Sequence, residues 1–196
     1  MAEQTKIPLV VLTGSVRPGN FTGKAAALVV DELARDDEVS VELIDPAELR
    51  LALPGAGPSE DAERLQQRVE AAAGVVLVTP EYHGSYSSVM KLVIDNLGFP
   101  SKLAGKPVAL VGVAAGVIGA IKALEHLRSV CSHVGAIVLP GPVSVAGVQR
   151  VFDEEGRCTD ERVEARVRGA GTALTHYLRQ NVCPRLALER MVREDG

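Results

Sequence analysis

The sequence IPLVVLT-GSVRPGN-FTGKAAALVVDEL, residues 7–33, decides the fold class of this chain. Its first seven residues form a short apolar run rich in β-branched side chains, which is typical of a strand buried on both faces of a parallel sheet. The next seven are mostly turn-forming residues. The last thirteen place four apolar residues on one helix face: Ala25, Leu28, Val29 and Leu33. The stretch therefore predicts the strand, turn and helix from which parallel sheets are built.

The same alternation of strand and helix continues along the chain. Further strands are predicted at residues 39–44, 75–79, 107–113 and 135–139, and further helices at residues 59–73, 89–97, 117–131 and about 160–178. This pattern is typical of an α/β protein in which a five-stranded parallel sheet lies between two layers of helices, a three-layer sandwich. We expect the strand order 2-1-3-4-5, with a ligand at the switch point between strands 1 and 3.

The length of 196 residues fits a single domain, residues 1–196, with residues 180–196 as a C-terminal tail. A chain of this size buries a full core without disulfides or metals. Three apolar residues of the tail have the spacing of a short docking helix: Leu186, Leu188 and Met191.

The composition argues against several classes of binding partner and site. The net charge is −4, from 21 basic and 25 acidic side chains, and this balance argues against nucleic acid. The three cysteines lack the spacing of a disulfide framework or a zinc site, which favours reduced thiols in a cytoplasmic protein. The sequence has no signal-peptide pattern and no apolar run approaching the roughly 20 residues of a membrane helix, so we expect no membrane contact.

The loop after the first strand, GSVRPGN, has the features of a phosphate site. The N–H groups at a helix N-terminus lack internal partners and carry partial positive charge, so they attract anions. Ser15, Asn20 and Thr22 add neutral donors, and Arg17 adds a guanidinium that pairs with phosphate oxygens. These features suit a phosphomonoester. The alternative, a plain turn with a helix cap, remains open from the residues alone.

Three other nucleotide or phosphate sites do not match this loop. A dinucleotide fingerprint needs GxGxxG, whereas the loop reads G-S-V-R-P-G. A triphosphate-binding loop has the pattern GxxxxGK followed by Ser or Thr. Gly14 and Gly19 have the required spacing, but Asn20 and Phe21 follow Gly19 in place of Lys and Ser or Thr. A phosphoacceptor receiver domain needs acidic residues at the ends of strands 1 and 3, and neither strand provides them there.

The loop PEYHGSYSS, residues 80–88, follows the third strand on the other side of the expected crevice. Pro80 stiffens it, and Gly84 permits close approach of a flat ligand. Tyr82 is a candidate for contact with a ligand or a neighbouring subunit. His83 is a candidate acid or base, although a lone loop histidine is usually only solvated. In the next helix, Lys91 and Asp95 are four residues apart, which predicts a surface ion pair.

Three segments together resemble the NADPH-dependent FMN reductase family. GSVRPGN with the following FTGKAAALV resembles its GSxRxxS opening, and TPEYHGSYSSVMKLVID resembles its PEYN segment. Residues 111–143, VGVAAGVIGAIKALEHLRSVCSHVGAIVLPGPV, resemble its third region. The matches keep the family's order and cover roughly residues 8–145. The resemblance implies a flavodoxin-like fold and relates the chain to flavin, quinone, azo-dye and chromate reductases.

The resemblance also implies the cofactor-binding residues. Five would surround the phosphate of FMN: Ser15, Arg17, Asn20, Phe21 and Thr22. Five would line the isoalloxazine ring and ribityl chain: Pro80, Glu81, Tyr82, His83 and Gly84. Ala115 and Gly116 would border the ring from the third loop. The resemblance further implies a homodimer or homotetramer, with the helix of Lys91 and Asp95 near the subunit contact.

The implied function is an FMN-dependent NAD(P)H oxidoreductase. NADPH, or NADH, would donate two electrons that reach a small acceptor, a flavin, quinone, azo compound or chromate, through FMN. Both substrates would use the same flavin face in turn, so we expect ping-pong kinetics. The reaction requires no catalytic side chain and no metal. Two alternatives belong to other classes: a non-enzymatic flavodoxin-like electron carrier or flavin-binding protein, and an α/β interaction protein that binds no flavin.

Overall fold

The computed structural model describes residues 6–57 and 59–184. The strands are β1 Ile7–Thr13, β2 Val39–Ile44, β3 Gly74–Tyr82, β4 Ser85–Tyr86, β5 Pro107–Val113, β6 Ile137–Val138 and β7 Val143–Val145. The helices are α1 Phe21–Ala34, α2 Glu60–Ala71, α3 Ser88–Asp95, α4 Ile121–His133 and α5 Glu161–Tyr177. Short helical segments occupy Pro46–Glu48, Val148–Arg150 and Leu178–Val182. In the described ranges, no helix combines the length and the apolar character needed to cross a membrane.

The main sheet is parallel, with the order β2-β1-β3-β5-β6. The predicted arrangement 2-1-3-4-5 is confirmed, and only the numbering changes because the short strand β4 precedes β5. β4 pairs antiparallel with the end of β3 and lies off the main path. The predicted docking helix in the tail lies outside the described residues.

Helices cover both faces of the sheet, as the three-layer prediction requires. Alternate residues of β1 point to opposite faces. Leu9 and Val11 pack with the buried residues of α1 and α5. Val10 and Leu12 pack with those of α2, α3 and α4. Each face of the sheet thus has its own hydrophobic core, and both faces are closed to water.

The predicted fifth strand, residues 135–139, is wrong in its extent. Only Ile137–Val138 within it form a strand, β6, which pairs with Pro107 and Val108. The edge then continues outside the predicted range as β7, which pairs with residues 111–113 of β5. Between them lie Pro140 and Pro142. Proline has no N–H to donate to a sheet ladder, so the pairing is interrupted at these residues.

Two further boundaries differ from the sequence prediction. The expected loop 80–88 is mostly a β-hairpin, because β3 continues to Tyr82 and turns at His83 and Gly84. These two residues have φ of 50° and 72°, the positive values that a two-residue hairpin turn of the primed type requires. Val117, expected on the fourth helix, lies in the preceding loop with its side chain exposed, because α4 begins only at Ile121.

Gly112 of β5 permits α4 to lie close to the sheet. A Cβ at this position would be 2.7 Å from the Cβ of Ala120 and 3.0 Å from Cγ of Leu124. We expect Gly112→Ala to lower the free energy of unfolding by about 1–3 kcal/mol, because backbone must move to relieve this overpacking. Urea denaturation followed by circular dichroism measures the change.

Gly169 in α5 is the matched control, because a Cβ there meets no atom within 4 Å. Gly169→Ala should raise stability by about 0.5–1 kcal/mol through the better helix propensity of alanine. Equal stability of the wild type and Gly112→Ala would contradict the close packing of α4.

Candidate functional site

Three loops meet at the carboxyl edge of the sheet. We call them the first loop (residues 14–20), the hairpin (residues 80–86) and the third loop (residues 114–120). They converge because β1, β3 and β5 are adjacent and parallel. Ser87, which follows the hairpin and caps α3, donates from Oγ to the Gly14 carbonyl at 2.5 Å. The guanidinium of Arg17 lies 5.3 Å from the centre of the Tyr82 ring. The sequence-predicted loops therefore lie side by side at one edge of the sheet, where the expected crevice would be.

The hairpin extends beyond the ends of the two adjacent strands, β1 and β5. In the sheet register, Thr13 at the end of β1 is opposite Val78, and Val113 at the end of β5 is opposite Pro80. β3 nevertheless continues to Tyr82. Its last four residues therefore project beyond β1, and its last two beyond β5. This projection makes the hairpin a wall between the first and third loops.

The first loop is shaped by Asn20, the N-cap of α1. Its Oδ1 accepts from the Gly23 amide at 2.8 Å, and its Nδ2 donates to the Arg17 carbonyl at 2.6 Å. Asn20 thus organises the loop in addition to being a predicted phosphate donor. The amides of Phe21 and Thr22, in the first turn of α1, have no acceptors within the helix. The helix therefore begins with free backbone donors next to the first loop.

Two hydroxyl groups beside this helix end lack hydrogen-bond partners. Thr13 Oγ1 and Ser15 Oγ are the buried side-chain polar atoms of the described residues that have none. Leaving a buried hydroxyl unpaired costs about 1–3 kcal/mol, so these two groups are suited to bond a ligand or an ordered water. Arg17 is exposed and forms no ion pair with a carboxylate of the described residues. The segment from Thr13 to Thr22 thus carries hydroxyl, amide and guanidinium donors.

The hairpin residues divide into different roles. The Tyr82 side chain is exposed beside Arg17, and Pro80 is buried in the strand. The Glu81 carboxylate does not project freely into the crevice, because its Oε2 accepts from the Ala123 amide of α4 at 3.0 Å. His83 is exposed at the turn in a left-handed conformation that histidine adopts more readily than most residues. Gly84 completes the turn.

The third loop presents exposed backbone and exposed apolar side chains. Ala115 and Gly116 are both exposed, and a Cβ on Gly116 would meet no atom within 4 Å. Val117 and Ile118 are 81% and 76% exposed, which is unusual for aliphatic side chains. This part of the crevice therefore suits an apolar surface, in contrast to the charged first loop.

Residues 147–152, which follow β7, contact the third loop and the start of α1. Gln149 Nε2 donates to the Ala115 carbonyl at 3.2 Å, and the Gly147 amide donates to the Gly116 carbonyl at 3.1 Å. The Phe152 ring stacks on Phe21 of α1, with 6.3 Å between ring centres. The sequence analysis assigned no role to this segment. No local motif marks it, because its partners are more than 30 residues away in the sequence.

The predicted ion pair on α3 is confirmed. Lys91 Nζ lies 2.7 Å from an Asp95 carboxylate oxygen. The hydrogen bond to Asp95 raises the pKa of Lys91, so this amine stays charged. Nearby, Tyr86 of the hairpin packs against Ala114, Ala120 and Ala123, and burial raises the pKa of its phenol.

Comparisons with known proteins agree with this geometry. Residues 7–150 match the family model described as NADPH-dependent FMN reductase. The chain is 28% identical over 180 residues to an NAD(P)H-dependent FMN reductase of Pseudomonas aeruginosa, which covers 89% of this chain and 96% of the relative. It is 31% identical over 183 residues to a quinone reductase of Escherichia coli, with coverages of 89% and 97%.

Solved structures show the same fold. A flavoenzyme NAD(P)H:(acceptor) oxidoreductase of Paracoccus denitrificans superposes with a TM-score of 0.72 and 28% identity, covering 88% of this chain and 97% of the other. The apo form of an NADH:FMN oxidoreductase superposes with a TM-score of 0.70 at 18% identity, covering 86% and 90%. At that identity the second similarity supports the flavodoxin-like arrangement alone.

Proposed function

Because this chain belongs to the NADPH-dependent FMN reductase family and is an FMN-dependent NAD(P)H oxidoreductase, we propose that the crevice between the three loops binds FMN. The observation that carries this assignment is the pair of buried, unpartnered hydroxyls, Thr13 Oγ1 and Ser15 Oγ, in the segment that joins β1 to α1. The family's substrates are small molecules such as quinones. The electron-carrier alternative is not favoured, because the relatives are named as reductases.

The first loop would hold the FMN phosphate. The Ser15 hydroxyl, the Thr22 side chain and the first-turn amides supply neutral donors, and Arg17 supplies the charge. Phe21 is fixed against Phe152, so its amide has a defined position. Asn20 keeps the loop in shape by capping α1. This donor set fits a phosphate dianion, which accepts several hydrogen bonds at once.

The hairpin and the third loop would hold the ring system and ribityl chain. Tyr82 and the backbone of residues 80–84 form one wall. Ala115 and Gly116 form the other, and the open space around Gly116 permits a flat ring to approach the backbone. Glu81 contributes to this wall through its backbone, since its carboxylate is bonded to α4.

Bound FMN supplies the two-electron chemistry of the reaction. The chain binds and orients FMN. The exposed side chains of Val117 and Ile118 would reduce the access of water to the flavin ring. No thiol is needed. Burial raises the pKa of Cys131 to about 12, so this residue remains a protonated core thiol. We propose flavins, quinones, azo compounds and chromate as the acceptors, and NADPH or NADH as the donor.

We also propose that the chain is one domain, residues 1–196, because the cores on both faces share a single sheet. We propose a homodimer or homotetramer in which α3, with Lys91 and Asp95, lies near the subunit contact.

A cytoplasmic location is proposed because the cysteines of the described residues are free. Cell fractionation that recovers the protein in another compartment would contradict this location.

Arg17→Ala should raise the dissociation constant of FMN roughly 10–100-fold, because a charge-assisted hydrogen bond is lost. The melting temperature of the apo protein should change by no more than about 2 °C, since Arg17 is an exposed loop residue. Flavin fluorescence titration and thermal denaturation measure the two effects. Arg64→Ala, an exposed arginine of α2, is the control and should leave FMN affinity unchanged. Parallel losses of affinity and stability in Arg17→Ala would contradict its phosphate role.

Anaerobic mixing tests the reaction itself. The FMN-loaded protein should lose its visible flavin absorbance on addition of NADPH and regain it on addition of a quinone or azo compound. The reason is that both half-reactions use the same bound FMN. Absorbance spectra before and after each addition give the stoichiometry. A flavin that stays oxidised until a separate reductase is added would support the electron-carrier alternative.

Asp95→Lys tests the proposed subunit contact. The change replaces an ion pair with two cations four residues apart on α3, which should weaken association between like surfaces. We expect a lower mass than wild type by sedimentation equilibrium. Asp37→Lys, an exposed position after α1, is the charge-matched control and should keep the wild-type mass. A monomeric wild type would overturn the proposed assembly.

A further inference from the structure

Helix α4 begins at the site without a capping residue of its own. Its N-cap is Ala120, which offers no side-chain acceptor. Ala120 and Ala123 are fully buried, so water does not reach their amides. The first N–H groups of a helix have no internal partners, and leaving them buried and unpaired costs stability. Something outside the helix must therefore accept these hydrogen bonds.

Two side chains from other strands do so. Glu81 Oε2, at the end of β3, accepts from the Ala123 amide at 3.0 Å. Ser144 Oγ, on β7, accepts from the Ala120 amide at 2.9 Å. The negative charge of Glu81 at a helix N-terminus is also favoured by the helix dipole. The two residues thus form a cap assembled from sequence-distant positions, 42 and 24 residues from the amides they bind.

This cap determines where the third loop lies. At its start, the loop is anchored by the Ala114 amide, which donates to the Val145 carbonyl at 2.9 Å. At its end, Gly119 has a φ of 81° and lies against Ser144, where a side chain has no room. Between these anchors lie the exposed residues Gly116, Val117 and Ile118, on the side of the site where the flavin ring would bind. Loss of the cap would release the end of the loop at α4.

We propose that Glu81 and Ser144 are positioning residues that fix the third loop for productive binding of NAD(P)H and the acceptor. Glu81 acts through α4 and not by direct contact of its carboxylate with FMN. The proposal rests on the proposed function of the crevice. The phosphate contacts of the first loop, which contains neither residue, would supply most of the FMN affinity, and the third loop would only border the ring through Ala115 and Gly116, so loss of the cap should change FMN affinity little.

The kinetic test compares Glu81→Ala, Glu81→Gln and Ser144→Ala in the FMN-loaded enzyme. Glu81→Ala and Ser144→Ala should lower kcat/KM for a quinone about tenfold, chiefly through KM, because the loop is no longer held in place. The FMN dissociation constant should stay within about twofold of wild type. Glu81→Gln should restore most of the activity, because its amide oxygen still accepts from Ala123. Glu125→Ala removes an exposed carboxylate of the same helix and should have no effect.

A second measurement uses the apo protein and does not depend on activity. Amide hydrogen exchange is followed by NMR. Exchange at Ala123 should accelerate about tenfold in Glu81→Ala, and exchange at Ala120 should accelerate about tenfold in Ser144→Ala, because each variant removes the acceptor of that amide. Glu81→Gln and Glu125→Ala should retain wild-type exchange at Ala123. If Glu81→Ala does not fold, Ser144→Ala and Glu81→Gln still decide the outcome.

Two results would overturn the inference. One is an equal loss of FMN affinity in Glu81→Ala and Glu81→Gln, which would assign the carboxylate to direct cofactor contact. The other is wild-type kinetics and wild-type exchange in Glu81→Ala and Ser144→Ala. Failure of the wild type to bind FMN or oxidise NADPH would instead reject the proposed function, and hydrogen exchange in the apo protein would still report on the cap.

Discussion

The parallel register of β1, β3 and β5 is the constraint on which the site depends. It places Thr13 opposite Val78 and Val113 opposite Pro80, so the central strand continues past both neighbours. Loops that follow adjacent parallel strands must lie at the same edge, but they need not end at the same height. Here the difference in height creates a wall with a loop on each side. A crevice results without any insertion beyond a two-residue turn.

The capping of the helix ends fixes the loops beside the site. α1 and α3 are capped locally, by Asn20 and Ser87, and Ser87 also binds the first loop. α4 is capped by residues of two different strands. Every such bond satisfies a buried or partly buried donor and ties a loop or helix end to a neighbouring element. The hydroxyls of Thr13 and Ser15 are the exceptions, and they mark the place where a phosphate would complete the network.

The two ends of the crevice differ in chemistry. Amides, hydroxyls and Arg17 surround the first loop, whereas Tyr82, Val117 and Ile118 lie at the hairpin and third loop. A molecule with a phosphate at one end and a flat ring at the other matches both. FMN is such a molecule, and the reactive chemistry belongs to its ring, so the chain supplies binding and orientation in place of an acid, base or nucleophile.

Sequence alone determined the alternation of strands and helices, the sheet order, the three loops at the carboxyl edge and the family. Apolar periodicity and turn residues act over a few positions, so they are readable without the fold. Only the tertiary structure decided that β3 continues to Tyr82, that the fifth strand is split, that Val117 precedes α4 and that Glu81 binds Ala123. Strand extent depends on the pairing partner, and a side-chain bond across 42 residues depends on the packing of α4 against the sheet, which local patterns do not record.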